Sequence, residues 1–386
     1  MKKILFCVYG LGIGGIEKCF VNLVNAMPED RYEVDILLMN PEYAFVNQIR
    51  RKVRFIDTFD YVVNVQDTME EIQKRGGVLH APGLMLRYCL FRLQLKFGKR
   101  PWSIFRKLPD KYDIAVAYSQ NDLSAYYVID KVKADRKVLW YHNGAYERTG
   151  WRYERDLRYY PEFDYTVAVS TDCASVLRER IKFEPGRLIQ LCNLCDAETI
   201  RARADAFIPD SFRDGLLHIV TVGRMTEEKG APLTVDACRM LRDQGFEICW
   251  HWVGDGNQRD AIRETIAHYG LEHHFILEGN QENPYPYIKK AQVYVQPSHY
   301  EAYSTTVTEA RVLGVPIVAT DVGGMRDQLT DGENGLIVPI DAQAIAEAVK
   351  RLLTDGELGS SFTKRLQNED FSLEKALEAY EKTVFA

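Results

Sequence analysis

The chain has 386 residues, which is long for one ordinary α/β core and predicts two domains of ordinary size. Hydrophobic residues make up 46% of it and charged residues 27%, as in globular proteins. Its net charge of −6 argues against a general nucleic-acid binder, since such proteins need a basic excess to neutralise phosphates.

The first residues and the cysteines predict a cytoplasmic protein. MKKILFCVYG combines a basic pair with a short apolar run that meets Gly-rich sequence, so it predicts a first strand rather than a signal peptide. The C-x2-C pair, Cys192 and Cys195, has no second pair or His partner at zinc-ligand spacing, so no structural zinc is expected there. No apolar run is long enough to predict a membrane span. Reduced thiols without an export signal are typical of the cytoplasm.

A Gly-rich turn follows the first predicted strand, residues 3–9. The glycines of residues 10–15 fit G-x-G-x-x-G, the dinucleotide fingerprint, and helical spacing begins at residue 16. The fingerprint also calls for an acid at the end of the second strand to hold a ribose hydroxyl, but that strand ends at Met39-Asn40-Pro41. The missing acid counts against an NAD-linked oxidoreductase.

Residues 74–107 carry many Lys and Arg and no acid. Leu86, Leu90, Leu93 and Phe97 fall on one helical stripe before Pro101. The cations on its flank are Arg92, Lys96, Lys99 and Arg100. Two interpretations are open: a core-packed helix with a solvated basic edge, or a helix lying on an anionic membrane surface.

The rest of the first half alternates strands and helices. Strands are predicted over residues 113–118, 137–141, 165–169 and 187–191, and helices over 122–131 and 171–180. His142 directly follows one of these strands. A lone histidine is more often structural, but the carboxyl ends of parallel strands border the crevice where open α/β sheets bind ligands. His142 is therefore a candidate site residue.

The strand and helix pattern restarts at Leu216, after a polar segment, 198–215, that is predicted to be a linker. Strands at 217–222 and 248–253 are each followed by Gly-rich turns. We therefore predict an α/β chain of two Rossmann-like domains, residues 1–197 and 216–370.

The stretch 297–324 combines a loop, a helix running to about Leu313 and a second strand, behind the strand signal of residues 293–295. Unpaired N–H groups at the start of that helix suit a phosphate. Glu301 and Glu309 flank its first residues. Thr306 to Glu309 also fits a capping box, which would give Glu309 a purely structural role.

With these motifs the chain resembles the retaining glycosyltransferases of family 4, which have the GT-B fold. The donor loop of that family reads much like YEAYSTTVTEA of residues 300–310, and the resemblance spans nearly the whole chain. Its phosphate clamp is similar to G-R-x4-K-G of residues 223–230, and its G-G-x-E turn to residues 14–17. The resemblance implies two facing Rossmann-like domains with parallel sheets, and a C-terminal helix, within 371–386, that crosses back to the first domain.

The resemblance also implies roles for individual residues. Implied as catalytic are Glu301, His142, Arg224 and Lys229. Implied as donor-binding are Gly14, Gly15, Gly223, Gly254, Asn280, Ala302, Tyr303, Ser304, Thr305, Thr306 and Glu309. Implied at the acceptor or a membrane are Glu17, Arg92, Lys96, Lys99 and Arg100.

The implied activity is transfer of a hexose-type sugar, with retention, from a nucleoside-diphosphate donor, UDP-sugar favoured. The acceptor would be a saccharide or a lipid-linked saccharide of cell-surface polysaccharide synthesis, either in the cytoplasm or at the inner face of the plasma membrane. Helix amides and fixed cations can stabilise a departing diphosphate, and no D-x-D motif is present, so neither a metal nor a cofactor is expected.

Three alternatives remain open. A glycosidase could use Glu301 and Glu309 as its carboxylate pair, but the clamp would then have no purpose. A non-catalytic sugar-nucleotide-binding subunit would need the same binding residues. A sugar-nucleotide epimerase of the GT-B fold would bind the same donor.

Overall fold

The computed structural model describes residues 1–12, 14–39, 43–56, 86, 89, 90, 93, 107–119, 122–146 and 148–386. The chain divides into two compact units. The first comprises Met1–Leu194 and Leu377–Ala386, and the second comprises Cys195–Ala376. The division falls three residues before the predicted boundary at residue 197, so the predicted linker belongs to the second unit.

The first unit contains a seven-stranded parallel sheet. Its strands are β1 Lys2–Val8, β2 Tyr32–Leu38, β3 Arg54–Ile56, β4 Lys111–Ala117, β5 Lys133–Tyr141, β6 Tyr165–Ala168 and β7 Leu188–Gln190, in the order β3-β2-β1-β4-β5-β6-β7. The helices described here are α1 Gly15–Ala26, α2 Asp122–Lys131, α3 Gly150–Tyr159 and α4 Thr171–Arg180. The apolar run of β1 is buried from Ile4 to Val8, as expected for a central strand with both faces covered.

The second unit contains a six-stranded parallel sheet. Its strands are β8 Leu217–Val222, β9 Ile248–Val253, β10 Phe275–Gly279, β11 Val293–Gln296, β12 Ile317–Thr320 and β13 Leu336–Val338, in the order β10-β9-β8-β11-β12-β13. Its helices are α5 Ala197–Arg203, α6 Ala231–Asp243, α7 Arg259–His268, α8 Tyr285–Lys290, α9 Thr305–Val312, α10 Ala342–Thr354 and α11 Gly356–Gln367. Trp250 and Trp252 are fully buried in its core.

The last helix, α12 Leu373–Thr383, returns to the first unit from Leu377 onward, as predicted. The Tyr380 ring stacks on Trp140, with centroids 5.3 Å apart, and its hydroxyl donates to the Cys192 carbonyl. Phe385 packs edge-on against Phe6. Aromatic packing of this kind anchors the C-terminus to the first sheet.

The basic flank predicted within residues 74–107, Arg92, Lys96, Lys99 and Arg100, lies outside the described residues. Leu86, Leu90 and Leu93 are described: they are helical and exposed, which does not fit the core-packed interpretation. Among the described residues, no helix has the length and apolarity needed to cross a membrane.

Candidate active site

Lys229 and Glu301 meet where the strand order of the second sheet reverses. Lys229 follows β8 and Glu301 follows β11, the two neighbouring strands from which the chain continues in opposite directions. Ligands of open α/β sheets bind at the carboxyl ends of strands at such a point. Lys229 Nζ lies 2.5 Å from Glu301 Oε1, and their side chains are 21% and 9% exposed. The two predicted catalytic residues therefore form one half-buried ion pair.

Two side chains that sequence reasoning missed hold the Glu301 carboxylate. Gln296 Nε2 donates to Glu301 Oε1 at 3.0 Å, and Ser298 Oγ donates to the same oxygen at 2.8 Å. With Lys229, three donors converge on one oxygen, which fixes its position. Gln296 could have been noticed in the sequence, because it is an amide residue at the last position of an otherwise apolar strand.

The first turn of α9 lies beside this pair. Ser304 is its N-cap, and its Oγ accepts from the Val307 N–H at 3.3 Å. The capping-box interpretation of Thr306 and Glu309 is therefore wrong, because the third helical position, which a capping box needs, is Val307. Glu309 lies further along the helix and is 3% exposed. Thr306 Oγ1 donates to Gln296 Oε1 at 3.0 Å, which ties the helix start to the strand end that holds Glu301.

Gln328 is a second residue that the sequence did not reveal. Its Oε1 accepts from the Ser304 N–H at 2.8 Å, while Nε2 donates to the Ser304 carbonyl and to Thr308 Oγ1, both at 2.8 Å. The side chain is 3% exposed. Gln328 therefore fixes the backbone at the start of α9 from the loop after β12.

Close backbone packing explains two glycines of the site. A Cβ on Gly230 would overlap the Pro297 carbonyl, and a Cβ on Gly254 would overlap the Gly223 carbonyl. Both glycines also have positive φ, 69° and 135°. Glycine is needed where loops approach so closely in this conformation. Gly223 and Gly254, predicted as donor-binding residues, are thus adjacent in space.

Other predicted residues of this unit make no side-chain contact with the ion pair among the contacts described. Arg224 has a side chain 67% exposed and pairs with Glu228 at 3.5 Å. Asn280 is exposed directly after β10. Ala302, Tyr303 and Thr305 are half-buried residues of the loop and first turn that lead from Glu301 into α9.

This part of the second unit has the chemistry of an anion site. The positive end of the α9 dipole and the Lys229 ammonium can both stabilise a phosphate. The backbone amides of Thr305 and Thr306 have no acceptor among the described residues. Glu301 adds a fixed acceptor for hydroxyl groups. The arrangement suits a ligand with both phosphate and hydroxyl groups.

The Gly-rich turn of the first unit leads into α1, with Gly14 as the N-cap. A Cβ on Gly14 would overlap the Glu17 carboxylate, so that carboxylate folds back over the helix start. A negative charge at this end of a helix is favourable. The turn lies between β1 and α1, and the strand order of the first sheet reverses between β1 and β4. Gly14, Gly15 and Glu17 thus lie beside the switch point of their own sheet.

His142 is buried at the end of β5, with 6% of its surface exposed. Its Nε2 lies 3.0 Å from the Tyr118 carbonyl, which directly follows β4. A carbonyl only accepts, so Nε2 carries the hydrogen and Nδ1 can act only as an acceptor. Burial lowers the pKa of His142 to about 4, and the imidazole is therefore neutral at pH 7. In this state it can accept a hydrogen bond but is not a cation.

A buried aspartate that sequence reasoning missed holds the loop after His142. Asp156, with no exposed surface, accepts from the Tyr146 hydroxyl at 2.6 Å and from Arg148 Nη1 at 3.0 Å. The Tyr126 hydroxyl donates to the same carboxylate. An ionised buried acid is tolerated because it is paired and hydrogen-bonded.

Two family models match the chain in sequence. The model described as Glycosyltransferase Family 4 matches residues 13–199, and the model described as Glycosyl transferases group 1 matches residues 205–369. Each covers somewhat less than half of the chain; the first match lies almost entirely in the first unit, and the second match lies in the second unit.

Similar curated proteins are glycosyltransferases. The 2-deoxystreptamine N-acetyl-D-glucosaminyltransferase of Niallia circulans is 32% identical over 146 residues, 37% of this chain and 38% of that protein. The N-acetylgalactosamine-N,N'-diacetylbacillosaminyl-diphospho-undecaprenol 4-alpha-N-acetylgalactosaminyltransferase of Campylobacter jejuni is 24% identical over 381 residues, 97% of this chain and 96% of that protein. The alignments with Niallia circulans and with LpsE of Rhizobium meliloti span only 38% and 48% of those proteins.

Solved structures agree over the full length. The Anabaena protein Alr3699/HepE, crystallised with UDP-glucose, is 15% identical and covers 100% of both chains with a TM-score of 0.75. The lipopolysaccharide outer core galactosyltransferase WaaB is 17% identical, covers 98% of this chain and 99% of that one, and has a TM-score of 0.63. The chain therefore has the GT-B fold, and its sequence is similar to the Glycosyltransferase Family 4 model in its first part and to the Glycosyl transferases group 1 model in its second part.

Proposed function

We propose that this protein is a retaining glycosyltransferase that moves a hexose-type sugar from a UDP-sugar to a saccharide or lipid-linked acceptor. The single observation that carries the proposal is the Lys229–Glu301 pair at the switch point of the second sheet, beside the first turn of α9. It combines a cation for a diphosphate with a fixed carboxylate for sugar hydroxyls.

Lys229 and the α9 amides would stabilise the charge that grows on the departing diphosphate. Preorganised donors of this kind act most strongly where charge develops in the transition state. Glu301 would hold hydroxyls of the transferred sugar, since its Oε1 is already fixed by Gln296 and Ser298. Arg224, exposed on the same loop as Lys229, would add charge from the solvent side.

The names of similar proteins support a sugar-nucleotide donor and a glycoconjugate acceptor. The Anabaena neighbour was crystallised with UDP-glucose, and the Campylobacter jejuni relative is named for transfer to a diphospho-undecaprenol-linked sugar. We extend both features to this chain, together with retention, which the family resemblance implies. Cell-surface polysaccharide synthesis is the process that fits such an acceptor.

The test is an assay of nucleotide release from a panel of UDP-sugars and other sugar nucleotides, with and without an acceptor lipid extract. A transferase releases nucleotide faster when acceptor is added, and NMR of the product gives its anomeric configuration. An epimerase changes the sugar without needing acceptor, and a binding subunit releases nothing. An inverted product would contradict retention, and acceptor-independent epimerisation would contradict the transferase.

We also propose that catalysis needs no Mg²⁺ or Mn²⁺, because Lys229 and the α9 amides supply the positive charge. Turnover should therefore be unchanged by a chelator and should not rise when either ion is added. Complete loss of turnover with EDTA, restored by Mg²⁺ or Mn²⁺, would contradict this.

A further inference from the structure

His218, Cys249 and His251 form a cluster in the second unit, away from the candidate active site. His218 of β8 lies opposite Cys249 of β9 in the register, and His251 is two residues further along β9, on the same face. All three are buried, with 6%, 0% and 0% of their surface exposed. One ligand atom from each lies within 4.8 Å of the others.

In each histidine, the ring nitrogen that points away from the other histidine, called here the outer nitrogen, already has a hydrogen-bond partner. His218 Nε2 lies 3.1 Å from the Arg213 carbonyl, and His251 Nδ1 lies 2.7 Å from Glu278 Oε1. The carbonyl can only accept. Glu278 Oε1 also accepts from Ser211 Oγ at 2.5 Å, so this oxygen acts as an acceptor in the cluster. Both outer nitrogens therefore carry the hydrogen.

The inner nitrogens are left as acceptors that face each other. His218 Nδ1 and His251 Nε2 are 2.9 Å apart. In neutral imidazoles each of these atoms has a lone pair, because the hydrogen of each ring is on its other nitrogen. Two buried lone pairs at this distance repel one another unless a cation lies between them. That cation is either a shared proton or a metal ion.

We propose that His218, Cys249 and His251 bind a thiophilic divalent ion of the Zn²⁺ type. Cys249 favours the metal ion over the shared proton. Its sulfur would not stabilise a proton that two nitrogens share, but with the two imidazoles it provides three ligands for zinc. Three protein ligands leave one coordination position for a further ligand.

The surroundings also match a metal site. Histidines that bind metals commonly donate their other N–H to a carboxylate or a backbone carbonyl, and here Glu278 and Arg213 accept in this way. Tetrahedral bonds of about 2.0 to 2.3 Å place ligand atoms roughly 3.3 to 3.6 Å apart. The two nitrogens would therefore separate by a few tenths of an ångström, and the thiol would turn towards them.

The ion would lie apart from the candidate active site. The cluster lies towards the amino ends of β8 and β9, whereas Lys229 follows the carboxyl end of β8. The Phe212 ring stacks over both imidazoles, with centroids 4.2 and 4.3 Å away, so water has little access from that side. Ser211, Phe212 and Arg213 precede β8. An ion at this position would fix the segment of residues 211–213 against the sheet, and this effect does not depend on which reaction the protein catalyses.

The test is anaerobic titration of the full chain with Co²⁺, followed by Zn²⁺. We expect a thiolate-to-cobalt charge-transfer band that saturates at one equivalent and is displaced by one equivalent of Zn²⁺. Cys249→Ala should abolish the band, while Cys238→Ala, which removes another fully buried cysteine of the same unit, should keep it. Glu278→Gln should weaken binding by about 10 to 100-fold.

X-ray absorption of the Zn²⁺-loaded wild-type protein needs no variant, and it should show one sulfur and two imidazole nitrogens. Absence of stoichiometric binding would overturn the proposal and leave the shared proton as the cation. A band retained in Cys249→Ala, or a zinc environment without sulfur, would place the bound ion elsewhere and would equally overturn it.

Discussion

Lys229 and Glu301 show how a charge pair can serve both the free and the occupied site. In the free site the ammonium is 2.5 Å from Glu301 Oε1, and the carboxylate keeps two further donors, Gln296 and Ser298. Lys229 can therefore turn towards a diphosphate without leaving Glu301 unsolvated. A carboxylate paired with lysine alone would lose its only partner on substrate binding.

Lys229→Ala should lower turnover by about 100-fold or more, because it removes charge stabilisation that is strongest in the transition state. Arg224→Ala should also lower turnover, by a smaller factor, because its exposed charge is screened by solvent. Steady-state assays of nucleotide release measure both effects. Lys290→Ala, at an exposed lysine of α8, is the matched control and should be neutral. Near-normal turnover in both Lys229→Ala and Arg224→Ala would contradict the assigned roles.

His142 should make the stability of the protein depend on pH. Its pKa is about 4 in the folded protein against an ordinary value of 6.5. Between these values the unfolded chain binds more protons than the folded protein. The free energy of unfolding is therefore highest above pH 6.5 and decreases as the pH falls towards 4. From pH 7.5 to 5 the loss from this residue should be on the order of 2 kcal/mol.

Denaturant unfolding at the two pH values measures this loss. His142→Gln should remove that part of the pH dependence, while His273→Gln, at an exposed histidine, should retain it. An unchanged pH dependence in His142→Gln would mean that the buried imidazole is not its source.

Sequence motifs identified charged residues better than they identified the groups that hold them. Glu301 and Lys229 were predicted from the donor loop and the G-R-x4-K-G turn, and they are in contact. Gln296, Ser298 and Gln328 were missed, because they belong to none of the motifs that carry the resemblance and their partners are known only after the loops have packed. The capping box failed for a related reason: Ser304 and Thr306 are both competent caps, and tertiary contacts from Gln328 and Gln296 set the helix start at Thr305.

At the scale of elements, α9 depends on a side chain from a distant loop. Gln328→Leu should lower the free energy of unfolding by about 1 to 3 kcal/mol, because the Ser304 N–H loses its acceptor in a buried setting. It should also weaken binding of the donor, since the amides of the first turn are displaced. Denaturant unfolding and calorimetric titration with UDP measure the two effects.

Gln343→Leu is the matched control, at an exposed glutamine of α10, and should change the free energy of unfolding by less than about 0.5 kcal/mol. Equal unfolding free energies for Gln328→Leu and Gln343→Leu would show that α9 keeps its start without the Gln328 amide.

Element prediction succeeded where apolar runs were long and failed at three of the four sheet edges. The predicted strands 217–222 and 248–253 coincide with β8 and β9, and the helices 122–131 and 171–180 with α2 and α4. The edge strands β3, β10 and β13 were not predicted, whereas the edge strand β7 was. β3 and β13 have three residues each, too few for a periodicity, and become strands only by pairing with their neighbours.

At the scale of the whole molecule, two units of one architecture carry different chemistry. The restart of the strand pattern at Leu216 predicted the two sheets, and both are parallel with one reversal of strand order. The second unit presents the ion pair and the first turn of α9, whereas the first presents a glycine turn and a neutral histidine. Under the proposed function, the charged groups for the donor would lie in the second unit and acceptor specificity in the first, so that acceptors could change without altering the phosphate site.

The basic segment of residues 74–107 should attach the protein to anionic membranes independently of the donor site. Each Lys or Arg near an anionic surface contributes on the order of 1 kcal/mol, and this attraction falls off within a Debye length. Replacing Arg92, Lys96, Lys99 and Arg100 with Gln should abolish sedimentation with phosphatidylserine-containing vesicles. Donor hydrolysis should be unaffected, because Lys229 and Glu301 lie in the other unit.

A matched control removes the same number of positive charges from exposed positions elsewhere in the first unit. Replacing Lys133, Arg178, Arg180 and Lys182 with Gln should leave sedimentation with vesicles close to that of wild type. High salt should imitate the first quadruple variant, since screening weakens the same attraction. If that variant still sediments with vesicles as wild type does, or if both variants lose sedimentation equally, the basic segment is not the membrane contact and its cations face the acceptor instead.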